Sequence, residues 1–267
     1  MLSQIADFRE EAEALNALLS TLADDDWNRV TLFKSWTIND VVQHLHDGDL
    51  RSMAATAGRD SFERDRAAIQ ALRDSGISRR EETRQRLGDL SGQRLRERWY
   101  AQMTALCDVL AALPADARLP WFGPDMGVRM FATARQMETW AHGQELFDVL
   151  GVPRAPTDRL RNIAEIGVRT YGWTFTNRGA PLPGPGPFVR LDAPSGAVWT
   201  WNEVSEDNRV EGQALDFCQV VTQVRNVADT GLRVVGAPAR AWMRIAQCFA
   251  GPPEEPPALG TRFTAPR

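Results

Sequence analysis

Arg135-Gln136-Met137-Glu138-Thr139-Trp140-Ala141-His142 lies in a run without glycine or proline from Val128 to His142, and it reads as helix. Glu138 and His142 then stand one turn apart on the same face, as two ligands of one metal ion must. The chain has three histidines: this one, and His44 and His46 on another helix far upstream. One upstream histidine added to Glu138 and His142 would complete a site of two imidazoles and one carboxylate. Taken alone, Glu-x-x-x-His describes equally well a hydrogen-bonded i,i+4 pair on a helix surface.

The 267 residues are long for one core and comfortable for two. With 43% hydrophobic and 25% charged residues the chain has the composition of a soluble globular protein. The formal net charge of −4 and the absence of a Lys/Arg run argue against nucleic acid as a partner. The first residues, Met1-Leu2-Ser3-Gln4-Ile5-Ala6-Asp7-Phe8, show neither the basic nor the apolar region of a signal peptide. No apolar run approaches the ~20 residues that span a bilayer, so the expected setting is cytoplasmic, as a monomer or homodimer without a membrane partner. Cys107, Cys218 and Cys248 are far apart and odd in number. They form no CxxC pair and read as small buried apolar residues in a reducing compartment. Lysine occurs only at Lys34, which fits a GC-rich coding bias.

Taken in order, Leu2 to Leu22 reads as a first helix, with Ile5, Phe8, Ala12, Leu15, Leu18, Leu19 and Leu22 at three- and four-residue steps. Asp24-Asp25-Asp26 breaks it, and Trp27 to Trp36 reads as a connection. Thr37 followed by Asp40 is a capping box with a shorter acid, and Trp36 and Val41 are placed as a hydrophobic staple. On the helix that follows, Val41, Val42 and Leu45 mark the core side, with His44 at its edge. His46 is rotated about 200° from His44 and reads as a solvated or peripheral histidine. Asp49, rotated about 140° from His44, reads as a supporting or solvated acid. The charged stretch Arg59 to Arg86 reads as a solvated helix, an interruption at Gly76 and a new helix start at Ser78. Ser91 to Leu113 is a long helix that Pro114 ends, and Pro120 to Gly127 is a loop carrying Trp121 and Phe122. These elements predict an all-α bundle of four or more helices with short connections.

After Leu150-Gly151-Val152-Pro153 the character changes, predicting domains at 1–152 and 153–267. Helix is expected over Leu160 to Phe175, followed by the Gly/Pro-rich stretch Gly179 to Pro187 that excludes both helix and strand. Phe188 to Asp192 and Val198 to Trp201 form a hairpin pattern around Ala193-Pro194-Ser195-Gly196. Arg209-Val210-Glu211 and Leu232 to Val235 are further strands, with helices over Ala214 to Val227 and Ala239 to Phe249. The tail from Gly251 reads as irregular. This half is a smaller α+β domain.

Trp36-Thr37-Ile38-Asn39-Asp40-Val41-Val42-Gln43-His44-Leu45, followed about ninety residues later by Glu138-Thr139-Trp140-Ala141-His142, resembles the DinB-type four-helix bundle. More narrowly it resembles the metal-binding domain of the mycothiol-dependent maleylpyruvate isomerase family. The resemblance extends to about Val152 and implies His44, Glu138 and His142 as metal ligands, with zinc the usual ion. It implies a low-molecular-weight thiol such as mycothiol as cosubstrate. Gly212-x-Ala214-x-Asp216-Phe217 with Arg225 looks like the family's C-terminal helix ending in arginine, part of an SCP2-like domain. There the arginine is implied to serve catalysis by pairing with a substrate carboxylate; read from spacing alone, Arg225 is equally a surface arginine at a helix C-terminus. Trp199-Thr200-Trp201, Asp216-Phe217-Cys218 and Phe249-Ala250-Gly251-Pro252-Pro253 look like an actinobacterial branch whose C-terminal segment is likened to tRNA wybutosine-synthesis proteins.

Together these readings point to a metal-dependent enzyme in which a thiol attacks a small electrophile, by S-transfer or by thiol-assisted isomerisation. No cysteine lies near either ligand motif, so the cosubstrate supplies the sulfur. Arg135, three residues before Glu138, is placed to orient that carboxylate. Two other readings share the site: a metal- or ligand-binding protein without turnover, and a non-haem iron enzyme on the same ligands.

Overall fold

The computed structural model describes residues 2–266 and divides the chain into two compact units, Met1–Val149 and Leu150–Arg267. In the first unit the long helices are α1 (Ser3–Leu19), α2 (Ile38–Thr56), α5 (Gly92–Ala112) and α6 (Val128–Leu150), with the shorter α3 (Arg59–Asp74) and α4 (Arg79–Leu87) beside α2. This is the DinB-type bundle. The expected apolar stripes are the buried ones: Ile5, Phe8, Ala12, Leu15 and Leu19 on α1, and Leu95, Trp99, Met103, Leu106 and Leu110 on α5. Each large side chain withdrawn from water contributes roughly 1.5–3 kcal/mol.

Helix α2 begins as the sequence predicts. The Thr37 hydroxyl accepts from the Asp40 amide at 3.2 Å while the Asp40 carboxylate accepts from the Thr37 amide at 2.9 Å. This satisfies two amides that a helix start leaves unpaired. The residues before it form a tight loop. Val30 bridges Thr37, and the Thr31 amide and hydroxyl both donate to the Trp36 carbonyl at 2.8 Å.

The charged stretch is less solvated than its composition suggests. Gly76 interrupts it with φ +81°, and Ser78 caps α4 by accepting from the Glu81 amide at 3.1 Å, as expected. Yet α4 lays a buried ion-pair network on α2. Arg51 lies between Asp47 and Glu82, and Glu82, fully buried, also accepts from Arg73 at 2.9 Å. Arg86 donates to Asp47 at 2.9 Å and to Asp65 at 2.6 Å, and Arg84 donates to Asp40 at 2.7 Å. His46 also departs from expectation: it is buried, and that burial, opposed by Asp47, lowers its pKa. The side expected to face solvent is covered instead.

A two-residue hairpin, β1 (Arg118–Leu119) with β2 (Met126–Gly127), leads into α6. Its loop packs Trp121 on Phe62 and Phe131, leaving Phe122 40% exposed.

The second unit opens with α7 (Leu160–Arg169) and α8 (Tyr171–Thr176), one predicted helix broken at Thr170. The hairpin of β3 (Phe188–Asp192) and β4 (Val198–Trp201) forms as read. Strand β5 (Arg209–Gln213) lies parallel to β3, and β6 (Arg233–Val235) completes a mixed sheet in the order β4-β3-β5-β6. Helices α9 (Ala214–Val221) and α10 (Ala237–Met243) are both shorter than predicted. Beyond α10 the tail is irregular, as expected, and the chain is fastened by side-chain amides. Gln223 donates to the Ala246 and Glu254 carbonyls at 3.0 Å, and Asn226 donates to the Pro257 carbonyl at 2.8 Å. Among the described residues no helix is long and apolar enough to cross a membrane.

Replacing Glu82 by Gln leaves Arg51 and Arg73 short of an anion in a buried setting. Urea denaturation should then show a loss of about 3 kcal/mol, the scale for breaking a buried pair. A loss under about 0.5 kcal/mol, the scale of an exposed pair, would mean that the network only decorates the surface.

Candidate metal centre

His44 projects from α2, and Glu138 and His142 project from α6 one turn apart. The Nε2 atoms of both histidines lie 3.5 Å from the same Glu138 oxygen, Oε2. One donor atom from each of the three residues lies within 4.8 Å of the others, and no other group of three is so disposed among the described residues. The donor set suits a divalent metal. Two ligands each about 2.1 Å from a tetrahedral zinc stand about 3.4 Å apart, close to the histidine–glutamate separations here. A charge-assisted hydrogen bond would instead draw such atoms to about 2.7–2.9 Å. The side chains are 13%, 25% and 14% exposed for His44, Glu138 and His142, so each is largely enclosed by protein and keeps some contact with solvent.

Burial drives the His44 pKa down to about 3, against the pull of the Glu138 carboxylate, so its imidazole is neutral at physiological pH. Burial alone would raise Glu138, but the attraction of the neighbouring His142 and His44 imidazoles outweighs that and holds it well below the ordinary carboxylate range. A neutral imidazole and an ionised carboxylate are the forms that ligate a cation.

An aromatic wall stands against these ligands. The Phe33 ring meets His142 edge-on at 5.0 Å, and Trp36 meets His44 edge-on at 5.5 Å. Trp36 also lies parallel to His142 at 6.4 Å, an attachment that its assignment to a staple with Val41 does not foresee. Both rings flank Lys34 and Ser35, whose φ values of +50° and +55° put two non-glycine residues in the left-handed region. That conformation costs of order 1 kcal/mol or more each and concentrates at functional sites. The Trp36 amide closes the turn by donating to the Phe33 carbonyl at 2.9 Å, and the Lys34 ammonium lies 5.5 Å from the Phe33 ring centre. Phe33 was not singled out from sequence. The available signal was an aromatic pair spaced around a turn directly before a helix cap.

Asp49 and Arg135 are both buried and meet each other. Arg135 Nε donates to Asp49 Oδ1 at 3.0 Å and Nη2 donates to the Leu45 carbonyl at 3.4 Å. Arg135 thus joins α6 to α2, where the sequence reading directed it at Glu138. Burial raises the Asp49 pKa, and Arg135 opposes that shift.

Arg225 lies in the second unit and is not at a helix end. Helix α9 stops at Val221 because Gln223 takes a left-handed conformation, φ +59°, and spends its amide on Ala246 and Glu254. Arg225 therefore follows the helix by four residues. It is buried rather than on the surface, with Nη1 donating to the Val224 carbonyl at 3.1 Å. Asp216 binds the Gly231 amide at 2.9 Å, and Gly212, at φ +148°, lies where a β-carbon would come within 3.0 Å of Leu232. Those two motif residues serve the fold. Cys107, Cys218 and Cys248 are all buried; burial pushes the Cys107 thiol up to about 12 and Cys218 well above its usual value.

Residues 8–147 match the family described as the mycothiol maleylpyruvate isomerase N-terminal domain. Two uncharacterized proteins of Mycobacterium tuberculosis, from strains CDC 1551 and H37Rv, are each 38% identical over 249 residues, covering 93% of this chain and 96% of theirs. Crystal structures of the mycothiol-dependent maleylpyruvate isomerase and of a histidine-to-alanine mutant of it superpose with a TM-score of 0.50 at 16% identity, over 82% of this chain and 87% of theirs. That likeness concerns the fold. The family match spans more than half of the 267 residues and contains all three candidate ligands, and on that ground the chain belongs to the mycothiol maleylpyruvate isomerase N-terminal domain family.

Proposed function

We propose that the protein is a metal-dependent enzyme that activates a low-molecular-weight thiol, mycothiol, for attack on a small electrophile. The supporting observation is the convergence of His44, Glu138 and His142 on one point, partly open to solvent, with the His44 imidazole neutral and the Glu138 carboxylate ionised. His44, Glu138 and His142 would hold a divalent ion, zinc in our reading, which would supply the positive charge that favours the thiolate form of a thiol at neutral pH. The chain's own contribution is to hold that charge. Burial keeps His44 deprotonated, Glu138 brings one compensating negative charge, and Phe33 and Trp36 cover one side of the ligands.

The sulfur comes from outside. A buried thiol with a raised pKa is a poor nucleophile, and Cys107 and Cys218 are both of that kind. Addition of the external sulfur to an activated double bond, rotation about the resulting single bond and departure of the sulfur isomerises the substrate and returns the thiol. When the carbanion left by addition takes up the proton released from the thiol, in place of the last step, the product is a thioether. The structurally similar isomerase is named for the first outcome. Arg225 enters the proposal as the partner of a substrate carboxylate, supported by the forked geometry of guanidinium and by the family resemblance. Its replacement by Gln should raise KM for a carboxylate-bearing substrate and leave metal content unchanged. A reduced low-molecular-weight thiol and cysteines that form no disulfide both fit a cytoplasmic setting.

Elemental analysis of the purified protein should find zinc, and iron in its place would favour oxidation chemistry on the same ligands. Incubation with mycothiol and a panel of electrophiles, maleylpyruvate among them, should give isomerised or conjugated product. His142→Ala should lose both metal and turnover, whereas Cys107→Ala should keep them. A His142→Ala protein that retains metal and activity would overturn the site.

His44 also makes stability depend on pH in the chelator-treated protein. Above pH 6.5 neither the folded nor the unfolded chain protonates it. Below 6.5 the unfolded chain takes up a proton that the folded chain refuses until about pH 3. His44 should therefore remove up to about 1.4 kcal/mol of stability per pH unit as pH drops from 6.5 toward 4, with His46 acting in the same direction and the raised pKa of Asp49 opposing them. Thermal melts across that range test this, and an unchanged midpoint from pH 7 to 5 would contradict it.

A further inference from the structure

We infer that Arg135, its guanidinium pressed onto the bare backbone of Gly48, and its partner Asp49 are positioning residues that fix where His44 stands relative to Glu138 and His142. The inference rests on the metal-site reading above. Two of the three ligands share α6, so helix geometry sets their relation. His44 comes from α2, and its place depends on how α2 is held against α6. Arg135 supplies that hold at the level of the site. It sits one turn before Glu138, and its Nη2 donates at 3.4 Å to the carbonyl of Leu45, the residue next to His44. Its Nε donates at 3.0 Å to Asp49 farther along α2.

Gly48 makes this arrangement fit. A β-carbon there would fall 2.9 Å from both terminal guanidinium nitrogens, closer than such atoms approach. Glycine is a poor helix former, short only of proline, so its presence inside α2 is explained by the flat group lying on it. The Asp49–Arg135 pair is withdrawn from water, with side chains 0% and 6% exposed, and its partners are fixed in direction. Lysine would keep the charge, but it lacks the planar fork that reaches two acceptors while lying flat on a backbone.

The test is zinc affinity, measured by competition with a chelator on folded protein, together with the cobalt absorption spectrum as a report on ligand geometry. Arg135→Lys, Asp49→Asn and Gly48→Ala should each weaken zinc binding about 10- to 100-fold, the range for residues that orient ligands without touching the metal. They should also alter the cobalt spectrum. The double variant Asp49→Leu/Arg135→Met removes both charges at similar volume, so the metal-free protein should melt near the wild type while zinc binding stays weakened. A purely structural pair would instead lower the melting midpoint and leave affinity unchanged. If the double variant and Arg135→Lys bind zinc like wild type while His142→Ala does not, the positioning role is overturned and the site survives. If His142→Ala itself binds like wild type, the site reading falls.

Discussion

Helix α2 is enclosed on several sides, yet Asp40, His46, Asp47, Asp49 and Arg51 are all among its buried residues. An uncompensated charge in such surroundings costs several kcal/mol, so each must be partnered or neutral. Both solutions are visible along one helix. Asp40 is bound by its own cap and by Arg84, Asp47 by Arg51 and Arg86, and Asp49 by Arg135. His46 and His44 are neutral because burial lowers their pKa. The candidate metal ligand thus belongs to a helix whose neighbours α4 and α6 are committed to satisfying charge.

This distribution explains which parts of the structure were legible in the sequence. Apolar periodicity located α1, α5 and the core side of α2, because a stripe at three- and four-residue steps has one physical meaning. The Thr37–Asp40 box marked the start of α2 to the residue. The meeting of His44, Glu138 and His142 was legible as well, since i,i+4 spacing is local and both helix geometry and the family resemblance favoured His44 over His46. The α4–α2 network did not, because Asp47 and Arg86, or Arg51 and Glu82, lie 39 and 31 residues apart. Composition reports the charges and says nothing of their pairing. His46 was misplaced for the same reason: its angle from the apolar stripe was right, and the assumption that the far side meets water was wrong.

In the second unit the hairpin of β3 and β4 and the proline-rich connection followed from local chemistry. The shortening of α9 did not, because Gln223 leaves the helical region to bind two carbonyls of the tail, and no pattern within α9 signals partners 23 and 31 residues later. The parallel placement of β5 on β3 is likewise a property of the whole unit.

The turn from Phe33 to Trp36 has a practical consequence. It carries the chain's one lysine, exposed, one aromatic ring away from His142. Apart from the chain's α-amino group, amine-directed chemistry therefore has a single address on this protein, and that address lies beside the candidate metal centre. A fluorophore or cross-linker attached there would report directly on what enters the site, with no competing side-chain labels to subtract.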